Sequence, residues 1–160
     1  MKFTHFDEDG SARMVDVAAK EETERTAIAK GSIRVNAEVF EAVRNGNAAK
    51  GDVLTVATTA GVMGAKRTSE LIPMCHIVPL THVSIKWELD EESLSIGCSC
   101  TVKCSGRTGV EMEALTAVST ALLTVYDMCK AMDRNMEIRE IYLAEKSGGK
   151  SGHFVNRRER

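Results

Sequence analysis

Asp127 and Lys130 place an acid and a base three residues apart, in a stretch whose apolar residues keep helical spacing. On a helix surface such a pair is worth a few tenths of a kcal/mol. Partly desolvated, the same pair becomes an acid/base couple tuned towards neutral pH. Cys75 and His76 lie between Pro73 and Pro79, both prolines of the chain, in a segment that cannot be regular helix throughout. A histidine there either satisfies a structural hydrogen bond or moves protons. Cys98, Cys100 and Cys104 follow an i, i+2, i+6 pattern in phase with Leu94 and Ile96, and no CxxC occurs. They are expected to be buried thiols, and no metal is expected. Ala144–Ser151, AEKSGGKS, satisfies the loose P-loop pattern, but only nine residues follow where a phosphate-binding helix would have to start. What remains is a glycine-rich cationic loop able to touch phosphate through Lys146 or Lys150. Further basic residues, among them Arg25, Lys50 and Lys66, mark turns and element ends. Converging in a fold, such scattered positives suit a small anionic ligand better than a polyanion. Taken singly, each also reads as a solvated surface charge.

These groups need elements to position them. Leu115, Val118, Leu122, Val125, Cys129 and Met132 form a narrow apolar stripe on a helix predicted from about Gly106 to Asp133. Glu113, Thr116, Thr120 and Asp127 fall opposite, as a polar face. Upstream, residues 1–24 show no sustained period and are expected to form an N-terminal arm. Alternation from Arg25 to Val35 predicts a strand, Asn36 caps a short helix ending near Asn45 and Gly46, and Asp52 caps a second helix running to about Glu70. Ala57, Ala60, Gly61, Gly64 and Ala65 make that second helix approachable by another backbone. Val83, Ile85, Trp87 and Leu89 alternate with polar residues, Asp90–Ser93 turn the chain, and Leu94 to Cys104 alternate again as a hairpin partner. Met136 to Leu143 reads as a last strand whose phase slips between Ile138 and Ile141. Residues 147–160 are expected to be a flexible, basic, glycine-rich tail. The order contains the βαββαβ of a ferredoxin-like plait: an α+β fold with an antiparallel sheet, helices on one face, and one extra helix. An open sheet face and a small-residue helix together call for self-association.

With 160 residues, 43% of them hydrophobic and 28% charged, the chain fits one soluble domain spanning 1–160. A net charge of −2 and 4% aromatic content argue against nucleic-acid binding. No run of 18 apolar residues occurs and the N-terminus has no apolar signal segment, so no membrane association and a cytoplasmic location are expected. Five cysteines without framework spacing fit a reducing compartment.

Five stretches, MVDVAAK, KGDV, AKRTSELIPMCH, GRTGVEMEALTAVSTALLTVYDMCKA and AEKSGGKSG, closely resemble the molybdenum-cofactor biosynthesis protein C (MoaC) family, the cyclic pyranopterin monophosphate synthases. The likeness runs in one register from about Thr4 to Phe154. It implies a lyase that converts 3',8-cyclo-7,8-dihydroguanosine triphosphate to cyclic pyranopterin monophosphate and releases pyrophosphate. It also implies a homohexamer, a trimer of dimers with active sites at subunit interfaces, and no required cofactor beyond Mg carried with the triphosphate. Position by position, the resemblance assigns Met74, Cys75, His76, Met112 and Glu113 to substrate contact, with Arg25, Lys66 and Lys146 around the triphosphate and base. Asp127, Lys130 and Lys50 are its catalytic positions. The chain departs from the family pattern in IVPL after His76 and in Arg107, where lysine is also usual. A noncatalytic nucleotide-binding regulator with a ferredoxin-like fold is the alternative reading. Glu113 and Asp127 lie fourteen residues apart, about 21 Å along a helix. Either the substrate is long, or two symmetry-related helices lend opposite ends to each site.

Overall fold

The computed structural model describes residues 5, 9–46 and 52–159, so Lys50 lies outside the described residues. The chain runs β1 (Thr23–Arg34), α1 (Ala37–Arg44), α2 (Val53–Lys66), α3 (Thr68–Leu71), β2 (Leu80–Asp90), β3 (Ser95–Gly106), α4 (Glu111–Cys129), β4 (Glu137–Ser147), β5 (Phe154–Val155) and a final 3-10 turn, Arg157–Glu159. The strands form one antiparallel sheet in the order β2-β3-β1-β4-β5. The first four give the crossed order of a ferredoxin-like α+β plait, with β5 added at the β4 edge.

Alternation fixes which face of the sheet is covered. Ala27, Ala29, Ile33, Ile96, Cys98, Cys100, Val102 and Cys104 are buried, while Lys30 and Lys103 between them are not. The three β3 cysteines are thus core thiols, and burial pushes Cys98 and Cys100 up to about 12. α4 lies over this face, burying Val118, Leu122, Val125 and Cys129 of the predicted stripe.

α4 is buried more widely than its stripe predicts. Ala114, Ala117 and Ala121 are also enclosed, as α2 packs along α4's second flank, and Glu113 in the first turn is buried as well. At Gly61 an added Cβ would stand 2.3 Å from Ile85 Cδ1 and 3.0 Å from the Ala117 carbonyl; at Gly64 it would meet Thr120 Oγ1 at 2.5 Å. The small residues of α2 therefore receive α4 of the same chain rather than a second copy, and Thr120 lies under α2 instead of on a polar face. Trp87 Nε1 donates to Thr58 Oγ1 at 2.9 Å, fixing α2 on β2. Gly61→Val, which forces a Cβ and two methyl groups into this contact, is expected to cost about 1–3 kcal/mol by overpacking. Thermal denaturation should then show Tm lower by roughly 2–12 °C.

Local chemistry sets the boundaries. Asn36 and Asp52 cap α1 and α2 by accepting from Val39 N (2.9 Å) and Thr55 N (3.1 Å). α2 stops at Lys66, short of the predicted Glu70. Buried Thr68 donates its hydroxyl to the Ala65 carbonyl at 3.0 Å, and Arg67 leaves helical geometry before the separate turn α3. In β4, Glu140 has φ +53° and the register against β1 shifts between Lys30 and Ser32, which is the expected phase slip. The C-terminal stretch predicted to be a flexible tail is instead docked in part: Phe154 and Val155 pair with Lys146 and Glu145.

Candidate active site

Two adjoining clefts open where the start of β1, the β3–α4 turn, the 72–79 loop and the β4–β5 loop meet. The larger, about 710 Å³, is lined by Lys20, Arg25, Arg107, Lys146 and Lys150, with Glu21 and Glu111 as its acids. The smaller, about 310 Å³, is lined by Met74, Cys75, His76, Met112 and Glu113. They share Lys20, Thr108, Gly109 and Glu111, so the β3–α4 turn is the partition between them. Five cations against two carboxylates make the larger cleft a receptor for an anion.

Each side chain is held by its neighbours. Arg25 Nε donates to the Gly106 carbonyl at 3.2 Å. Gly149, at φ +70°, lies so close to the guanidinium that an added Cβ would be 1.4 Å from Nη1. The positive φ favours glycine there, and any larger residue would also displace the guanidinium. Lys146 Nζ stands 3.9 Å from Glu111 Oε1 and also donates to Ser151 Oγ. α4 begins at Val110 without a side-chain cap. Its first turn carries Glu111, which lines both clefts, and Glu113, which lines the smaller.

In the smaller cleft, His76 Nε2 contacts the Val15 carbonyl at 2.7 Å. A carbonyl only accepts, so Nε2 carries the proton, and in the neutral ring Nδ1 is left as the proton acceptor. The same bond ties the N-terminal arm to the loop. Glu113 is only 5% exposed. Burial, then the nearby Glu111 carboxylate, push its pKa up, against a bond from its own backbone amide and the His76 charge. Burial, followed by Glu113, pushes the Cys75 thiol up as well. The folded state therefore holds the Glu113 proton more tightly than the unfolded chain. The associated stability is complete below the ordinary carboxylate range and is lost as pH rises through the elevated folded value. Glu113→Gln removes this term, so its Tm relative to wild type is expected to rise between pH 4 and pH 7.5. Parallel Tm curves would contradict the assignment.

Of the positions expected from sequence, Met74, Cys75, His76, Met112 and Glu113 meet in one cleft, and Arg25 and Lys146 meet in the next. Lys66 is not among them; it is exposed at the end of α2 and lines neither cleft. Asp127 and Lys130 are also apart, at the far end of α4. Lys130 Nζ donates to Asp127 Oδ1 at 2.6 Å, with side chains 51% and 64% exposed. Sequence reasoning passed over Lys20 and Glu111. The signal for Lys20 was its place at the end of the MVDVAAK stretch; for Glu111, only its position before the Met112-Glu113 pair.

Among the described residues no helix is long and apolar enough to cross a membrane. The sequence profile of the MoaC family matches residues 14–149. Over 155 residues the chain is 59% identical to a cyclic pyranopterin monophosphate synthase of Clostridium botulinum, covering 97% of this chain and 98% of the relative. It is 57% identical over 152 residues to the synthase of Heliobacterium modesticaldum, with 95% and 96% covered. Against that of Roseiflexus it is 54% identical over 153 residues, with 96% and 97% covered. The matched span holds the lining of both clefts from Val15 to Gly149 and both ends of α4, and with these identities over nearly the whole length the chain belongs to the MoaC family.

Proposed function

We propose that this chain is a cyclic pyranopterin monophosphate synthase of molybdenum cofactor biosynthesis, converting 3',8-cyclo-7,8-dihydroguanosine triphosphate to cyclic pyranopterin monophosphate and pyrophosphate. The observation that carries the reading is the joined pair of clefts, in which a five-cation pocket opens beside one holding a histidine and a buried carboxyl. In this reading the triphosphate lies in the first and the guanine-derived ring in the second.

In this reading Arg25, Lys146, Lys20 and Arg107 neutralise the triphosphate. Negative charge grows on the bridging oxygen as the bond from the α-phosphorus to the pyrophosphate group breaks, and fixed cations lower that barrier. A substrate hydroxyl oxygen replaces the departing group on phosphorus and closes the cyclic phosphate, giving its proton to a base. Glu113 and His76 orient the ring by hydrogen bonds. Lys50, Lys130 and Asp127 move protons while the purine-derived ring opens and the pterin closes. The family resemblance also assigns Lys66 to the phosphates.

Because Asp127 stands about 21 Å and Lys130 about 25 Å along α4 from Glu113, one chain would not complete a site. The active form in this reading is a homohexamer, a trimer of dimers, in which Asp127, Lys130 and Lys66 reach a neighbour's clefts. It works in the cytoplasm without a resident metal, Mg entering only with the triphosphate. Incubating the purified protein with the cyclised nucleotide should release one pyrophosphate per cyclic pyranopterin monophosphate formed. Binding without pyrophosphate release would leave a noncatalytic nucleotide-binding protein instead.

A further inference from the structure

At Ser147, the last residue of β4 and the partner of Thr26, the chain leaves the sheet; Ser147–His153 passes along the larger cleft and the chain returns as β5. Ser147 to Ser151 line that cleft. Three of the seven residues in this stretch are glycines at positive φ, Gly148, Gly149 and Gly152, so its backbone has little intrinsic preference for the observed path. The β4–β5 ladder is only two residue pairs long, Glu145 with Val155 and Lys146 with Phe154. So short a ladder does not hold by itself.

The anchors lie beyond it, away from the cleft. Asn156 uses both of its donors on consecutive β4 carbonyls: its backbone amide on Ala144 at 2.8 Å and its side-chain amide on Leu143 at 2.9 Å. These carbonyls sit at the second register shift of β4 against β1, between Ile28 and Ala29. Glu159 then reaches the sheet face opposite the helices. It pairs with Lys30 and accepts from the Tyr142 hydroxyl at 2.6 Å. Arg158 lies 5.1 Å over the Tyr142 ring and pairs with Glu140, the bulge residue. Neither Asn156 nor Glu159 lines the cleft, yet both decide whether the loop is tethered at one end or at two.

We propose that Phe154–Glu159 is a positioning strap. By seating Asn156 and Glu159 on the sheet, it holds Ser147–His153 against Arg25, keeps Lys146 and Lys150 over the cleft, and so sets the affinity for the anionic substrate. The substrate part rests on the function proposed above; the tethering part does not. Residues of the strap are positioning residues, acting through the loop.

The test compares wild type with Asn156→Ala, Glu159→Gln and the double variant by three readouts. Steady-state turnover of the cyclised nucleotide should show KM raised about tenfold in the double variant with kcat within twofold, because the loop must then be ordered by the substrate. Affinity for inorganic tripolyphosphate, which needs no turnover, should fall by a similar factor. Hydrogen exchange should speed up at Ser147–His153 while α4 and β3 keep their protection. A lower Tm with unchanged KM, tripolyphosphate affinity and loop exchange would overturn the proposal and leave a purely structural tail. Failure of the wild type to turn over the nucleotide would count against the function alone, and tripolyphosphate binding with loop exchange would still decide the strap.

Discussion

Lys130→Ala is expected to lower turnover about a thousandfold, within the range for losing one positioned proton-transfer group. It should do so almost without cost to the fold. The pair it breaks is exposed on both sides and three residues apart on one helix, an arrangement worth a few tenths of a kcal/mol. That asymmetry gives the test its force. Pyrophosphate release at saturating substrate should nearly vanish, while the melting temperature and oligomeric state stay at wild-type values. Activity within tenfold of wild type would reduce the Asp127–Lys130 pair to a solvated surface contact. A matching loss of stability would mean the residue acts through structure.

Arg25→Ala carries the second large expectation, a fall of about a hundredfold in kcat/KM, comparable to removing one preorganised donor from a developing anion. The guanidinium is fixed by the Gly106 carbonyl at one edge and by the close backbone of Gly149 over it. Its remaining donors are thereby directed without being chosen by the ligand. Arg25→Lys separates charge from geometry. Lysine keeps the charge but loses the planar fork, so it should recover only part of the loss. Full recovery by lysine would show that the fixed direction is immaterial. Wild-type kinetics in Arg25→Ala would remove the triphosphate from this cleft.

How far the sequence reveals this arrangement depends on which interactions are local. The β2–β3 hairpin is legible because the sheet is covered on one face only, so Val83 to Leu89 and Leu94 to Cys104 alternate plainly. The caps Asn36 and Asp52 are legible because each bonds a backbone amide three residues on. The full width of α4's buried surface is not legible. Ala114, Ala117 and Ala121 carry little hydrophobic signal, and their burial follows from where α2 lies, which is set by packing between distant segments. Glu113 was assigned to a polar face because nothing local shows that the 72–79 loop and the N-terminal arm meet the first turn of α4 in one cleft.

In the site, types were easier to read than meetings. Cys75 and His76 stand out between prolines, but nothing local brings them to the first turn of α4. Lys146 and Lys150 stand out as cations in a glycine-rich loop, but the strand that closes the loop is two residues long and rests on Asn156 and Glu159, whose partners on β4 and β1 are remote in sequence. Lys66, Asp127 and Lys130 carry the converse lesson. The family pattern groups them with the cleft residues, and the single chain holds them elsewhere, at the ends of α2 and α4.

That separation makes the site's division between subunits the central claim, and mixing two inactive variants tests it most directly. Arg25→Ala keeps an intact Lys130, and Lys130→Ala keeps an intact Arg25. After subunit exchange in equal amounts, a site drawing these residues from two different chains is fully wild-type about a quarter of the time. Pyrophosphate release should therefore recover to about a quarter of the wild-type rate, from two proteins that are separately almost inactive. No recovery, with exchange demonstrated by differently tagged chains in one oligomer, would contradict the divided site.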